Sequence, residues 1–149
     1  MTPLAIELSN PQYADAVASR DYATLEAALN AANIAAVKPD SYITELGVLS
    51  LLGPTDGQVF LAGIEAAAAA QPVLDRAIRW LRSERGIDVG NSHVRTMLGQ
   101  LSVAGVVAPA SANAVLAVGS RAISRAEQLD LGIVGIGAIE NAIKEIEAQ

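Results

Sequence analysis

Cysteine is missing from this chain altogether. That removes disulfide frameworks, thiol nucleophiles and cysteine-based zinc sites. Histidine occurs once, as His93 in GNSHVRTML. A lone histidine forms no His-x-x-x-His pair, and no tight carboxylate cluster stands elsewhere to hold a metal. Ser92 adjoins His93 and Asp88 is near, but neighbouring residues on a helix do not face each other, so no triad converges. Catalytic, cofactor-binding and metal-binding residues are therefore expected to be none, and the chain reads as no enzyme. Aromatics are scarce: Phe60, Tyr13, Tyr22, Tyr42 and Trp80. Charge is sparse as well, at 17% of residues against 52% apolar, much of it alanine. A surface so thinly charged suits a subunit whose apolar faces are covered by partners.

Long apolar runs are limited to LSVAGVVAPASANAVLAVGS, from Leu101 to Ser120. Pro109 and two glycines interrupt it. It reads as a turn joining two buried helices rather than a membrane span. The opening MTPLAIELSNPQYADAV has no basic stretch followed by an apolar core, so it does not read as a secretory signal.

What is present is helical patterning over 149 residues, read as a single domain, 1–149. Thr2-Pro3 is a cap followed by a first-turn proline, predicting a short helix through Leu8. Asn10-Pro11 breaks it before a second short helix with Tyr13 and Val17. Asp21 caps DYATLEAALNAAN, where Tyr22, Leu25, Leu29 and Ala32 form one apolar face. Asp40 or Ser41 is expected to cap SYITELGVLSLL, which ends at Gly53-Pro54. Thr55 or Asp56 opens DGQVFLAGIEAAAAA, whose alanines predict a buried small-residue helix or a tight subunit contact. Pro72 starts PVLDRAIRWLRSER, with Gly86 as its stop. Asn91 or Ser92, Ser111 and Ser120 start three more helices, the last being RAISRAEQL, and AIENAIKEIEAQ closes the chain. No alternation is long enough for a sheet. The expected fold class is all-α, with about six to eight helices. The glycines of GIVGIGAIE superficially match a nucleotide loop, but a helical pattern precedes them, so they are expected to end a helix and turn the chain.

Charge is the most informative pattern. Residues 1–70 hold eight acids and two bases, 71–125 three acids and seven arginines, and 126–149 five acids and one lysine. The net values of -6, +4 and -4 return the total of -6. The basic centre peaks in RAIRWLRSER, with four arginines and the only tryptophan. Val73, Ala77, Trp80 and Leu81 are expected to share its buried side. Arg76, Arg79, Trp80, Arg82 and Arg85, with Arg121 and Arg125, form a candidate interface, since arginine makes forked bonds to carboxylates. A solvated face and a nucleic-acid contact are the competing readings. The acidic total and the few aromatics argue against nucleic acid.

Ser124, Arg125, Ala126, Glu127, Leu129, Leu131, Gly132 and Val134 follow a pattern of Ser-Arg-Ala-Glu, a Leu-Gly-Leu-like turn, a valine and a short helix. Asp130 interrupts the Leu-Gly-Leu step. Leu29-Asn30 closes an opening segment of matching type. In these residues the chain resembles a family of small proteins encoded in tailed-bacteriophage genomes. The resemblance implies a virion structural protein, a head-tail connector, neck or tail-associated component, assembled in the host cytoplasm. Its implied partners are other copies of itself and other virion proteins, with no membrane, small-molecule substrate or cofactor. A soluble nucleic-acid-binding or regulatory protein using Arg76–Arg85 is the alternative.

Overall fold

The computed structural model describes residues 1–149 and divides into two compact units. One, the end unit, joins Met1–Ala35 to Ala122–Gln149; the other, the central unit, is Ala36–Arg121. The reading of 1–149 as one domain thus meets a chain with two separate cores.

In the end unit, α1 (Pro3–Leu8) is capped by Thr2, whose hydroxyl accepts from the Ala5 amide. A 3-10 turn (Pro11–Tyr13) leads into α2 (Ala14–Ala18). Asp21 caps α3 (Tyr22–Asn30) by accepting from the Thr24 amide. The chain leaves along β1 (Ile34–Val37). It returns along β4 (Ser120–Ile123), which pairs with β1 in a two-stranded sheet. The end unit closes with α9 (Arg125–Gln128) and α10 (Ile136–Glu147). Leu8, Leu25, Leu29 and Ile139 form the middle of its core.

The central unit holds β2 (Tyr42–Ile43), α4 (Glu45–Leu52), α5 (Pro54–Ala68) and α6 (Pro72–Leu81). After these come β3 (Ile87–Asp88), α7 (Ser92–Val103) and α8 (Pro109–Val118). β2 and β3 are antiparallel, with Tyr42 opposite Asp88 and Ile43 opposite Ile87. Val48, Phe60, Leu74, Leu98 and Val115 pack in its core.

Helix dominates, but the all-α expectation is corrected by these two small sheets. Tyr42–Ile43 is strand because Ser41 does not cap a helix. Its hydroxyl instead donates to the Lys38 carbonyl at 2.8 Å, and Thr44 caps α4. Ser120–Ile123 is strand because the true cap of the next helix is Ser124, four residues later, which accepts from the Glu127 amide. The helix expected through Arg85 stops at Leu81. There the Ser83 hydroxyl donates to the Trp80 carbonyl at 2.6 Å and accepts from the Gly86 amide at 3.1 Å. The alanines after Glu65 are half-buried or exposed rather than core. No helix is long and apolar enough to cross a membrane.

Candidate functional site

Helix α6 carries two apolar faces, and only one is filled. Leu74, Ala77, Ile78 and Leu81, at spacings of three, four and seven, are buried. Val73 and Trp80, one heptad apart, lie together on an adjacent face and are 60% and 55% exposed. The expectation that both are buried is corrected. Their face borders the core stripe but turns toward α7, where it walls an open groove of about 570 Å³. Val94 and Met97 line the opposite wall, and His93, Thr96 and Gln100 supply the polar edge.

The arginines around this helix do not act together. Arg79 pairs with Asp75 one turn back, its Nε donating at 3.1 Å. Arg82 donates to Glu45 at 3.2 Å and also reaches Glu65. Arg85 stacks 4.1 Å over the Tyr42 ring. Arg76 alone among the four is exposed with no ionic, hydrogen-bonding or aromatic-ring partner. It lies four residues before Trp80, so the two are neighbours on the helix surface. Arg121 stands exposed in β4.

Arg125 belongs to the end unit, where it does something different. Its Nε and Nη2 donate to the two carboxylate oxygens of Glu7 at 2.8 and 2.6 Å, a forked pair. Glu7 is only 4% exposed. The Tyr13 hydroxyl donates to the same carboxylate at 3.2 Å. Bonding to Arg125 holds the Glu7 carboxyl below its ordinary range, against the upward push of burial. Burial, then the Glu7 charge, pushes the Tyr13 phenol up. A cavity of about 610 Å³ borders Tyr13 and Arg125, yet the guanidinium there already serves Glu7 and Gln128. This clasp tethers α1 to α9.

Two further polar anchors escape sequence reasoning. The Asn30 carboxamide donates to the Val134 carbonyl at 2.7 Å and accepts from the Val134 amide at 3.0 Å. Arg95 Nη1 donates to the carbonyls of Val89 and Leu116 at 3.0 Å and Gly119 at 3.2 Å, and Nη2 reaches Ser120 Oγ at 3.1 Å. That places a cation at the C-terminus of α8, where the helix dipole favours one. Gly119 fits this junction because a Cβ there would lie 2.5 Å from the Val89 carbonyl oxygen. Apart from Ser120 Oγ, the partners of both anchors are main-chain atoms, which leave no trace in side-chain identity.

The residues that carry the phage resemblance gather in the end unit. Ser124 caps α9, Ala126 and Val134 are buried, and Gly132 takes a left-handed turn at φ +66°. Leu29 is fully buried beside the Asn30 anchor. They are parts of one small framework. His93 is exposed at the start of α7, its amide donating to the Asn91 cap. No group of three or more histidine or acidic side chains is placed to hold a metal. No protein-family model, curated protein or solved structure matches the chain.

Proposed function

We propose that this chain is a non-enzymatic structural subunit of a tailed-phage virion, a connector, neck or tail-associated component that assembles with copies of itself and with other virion proteins. The observation that carries the assembling part is the α6–α7 groove. It leaves a tryptophan and a valine exposed beside an uncompensated arginine. Exposed aromatic and arginine side chains around an apolar patch are what interfaces use. The virion part is supported by the Ser124–Val134 pattern and Leu29-Asn30. Nucleic-acid binding through Arg76–Arg85 has weaker support, because three of its four arginines are occupied by Asp75, Glu45, Glu65 and Tyr42.

Mass spectrometry of purified particles, with imaging of the assembled protein, tests the proposal. The expected result is the chain at fixed stoichiometry in the particle. Its absence from particles, together with salt-sensitive binding to DNA, favours the alternative.

A further inference from the structure

We infer that the α6–α7 groove receives the Leu131–Gly135 turn of a second copy of this chain, with Ile133 inserted beside Val73, between the α6 and α7 walls, and Asp130 facing Arg76. This deepens the proposed function and rests on its reading of the chain as an assembling subunit.

The donor side is a protruding apolar side chain on bare backbone. Ile133 is 92% exposed at the tip of the turn that precedes α10. Gly132 adjoins it in the left-handed turn, and Gly135 and Gly137 follow it by two and four positions. Neither Gly135 nor Gly137 has a left-handed φ, and a Cβ on either meets nothing within 4 Å. The chain's own fold therefore does not call for glycine at these places. Gly137 sits in the first turn of α10, where glycine costs up to about 1 kcal/mol against alanine in a helix interior. What bare backbone permits is close approach by another molecule.

The acceptor side is the groove, whose apolar walls are open to water on a helix already anchored by its other face. Charge, together with the protrusion of Ile133, favours one surface to cover it. Asp130, three residues before Ile133, is exposed with no side-chain partner. Arg76 is the matching unpaired cation beside Trp80. The end unit carries nine acids and three bases, the central unit seven of each, so the complementarity is local, between Asp130 and Arg76. Groove against groove would instead place Arg76 near its own copy. Val103 is as exposed as Ile133, but its helix contains no acid. Because turn and groove are different surfaces, the contact is heterologous and repeats head to tail, closing into a ring or extending as a filament.

The cysteine-free background provides a clean test. Ile133→Cys and Val73→Cys both alter exposed positions. Under mild oxidation, a mixture of the two single variants should give a disulfide-linked dimer, each alone should not, and the double variant should give a ladder of linked oligomers. Sedimentation should show Ile133→Asp weakening self-association at least about thirtyfold. Arg76→Glu or Asp130→Arg alone should weaken it about fivefold and the pair together should restore it. Circular dichroism checks that each variant folds. No cross-link in the mixture, linkage of Val73→Cys to itself, or a full-length chain that stays monomeric overturns the inference. The protein present in virions without the cross-link overturns the docking and keeps the virion reading; the cross-link without virion incorporation does the reverse.

Discussion

The end unit holds the whole net charge of -6, while the central unit balances seven acids with seven bases. The ion pairs of Arg125 in the end unit and of Arg79 and Arg82 in the central unit are of opposite kinds. In the end unit Arg125 is drawn against a buried carboxylate and becomes part of the core's support. In the central unit Arg79 and Arg82 pair at the surface, and Arg76 is left over. Ion pairs of the first kind are demanding, because removing one partner strands a desolvated charge. Ion pairs of the second kind contribute little, since water screens them. The comparison teaches that a basic stretch gains importance from where its acids are, not from how many arginines it contains.

The largest expected effect follows from that contrast. Arg125→Ala should lower stability the most, by leaving the Glu7 carboxylate without its cation, whereas Arg82→Ala should cost little. Urea unfolding measures both, and equal losses would break the comparison. Asn30→Ala should come next, at about 2 kcal/mol, since it leaves both main-chain groups of Val134 unpaired. Hydrogen exchange should then show the loss concentrated in α3 and α10.

Acid should separate the units further. The folded state holds the Glu7 carboxyl below its ordinary value of 4.5. Its contribution is therefore present above that value and is lost as pH falls through the lower folded one. Tyr13 is displaced upward from 10.0, so its contribution is present below that value and fades as pH rises through the higher folded one. Amides of α1 and α9 should lose protection in acid before those of α4 and α5. Glu7→Gln should flatten that acid response, and an unchanged profile would remove Glu7 as its source. The smallest effect expected is Trp80→Ala on folding, within about 1 kcal/mol, because its face is not filled by the chain itself. A large loss of stability there would show that Trp80 belongs to the core after all.

Much of the helical framework is legible because its signals are local. Thr2, Asp21 and Asn91 cap as their sequence positions suggest, and Pro72 opens α6. The strands are not legible: Tyr42–Ile43 is two residues long and its partner lies more than forty residues away. Two or four residues display no period to read. The interface candidates were legible as a charged stretch, but not their division of labour. Glu45 and Glu65 are separated from Arg82 by 37 and 17 positions, and nothing local announces either. Spacing alone places Val73 and Trp80 on the buried side because α6 has two adjacent apolar faces. Sequence spacing does not say which of them a neighbouring helix fills.

The division of the chain also sets an order of events during synthesis. Residues 36–121 are continuous, so the central core has all its parts once that stretch has emerged. The end unit is assembled from both extremities: α1 needs α10, and Asn30 waits for Val134 over 104 positions. Closing so long a loop is entropically slow. Residues 1–35 therefore remain uncommitted, with Leu8, Leu25 and Leu29 uncovered, until Ala122–Gln149 has been synthesised. The part that forms last is the one carrying the Ile133 turn, so a nascent chain gains its protruding end only after its groove exists.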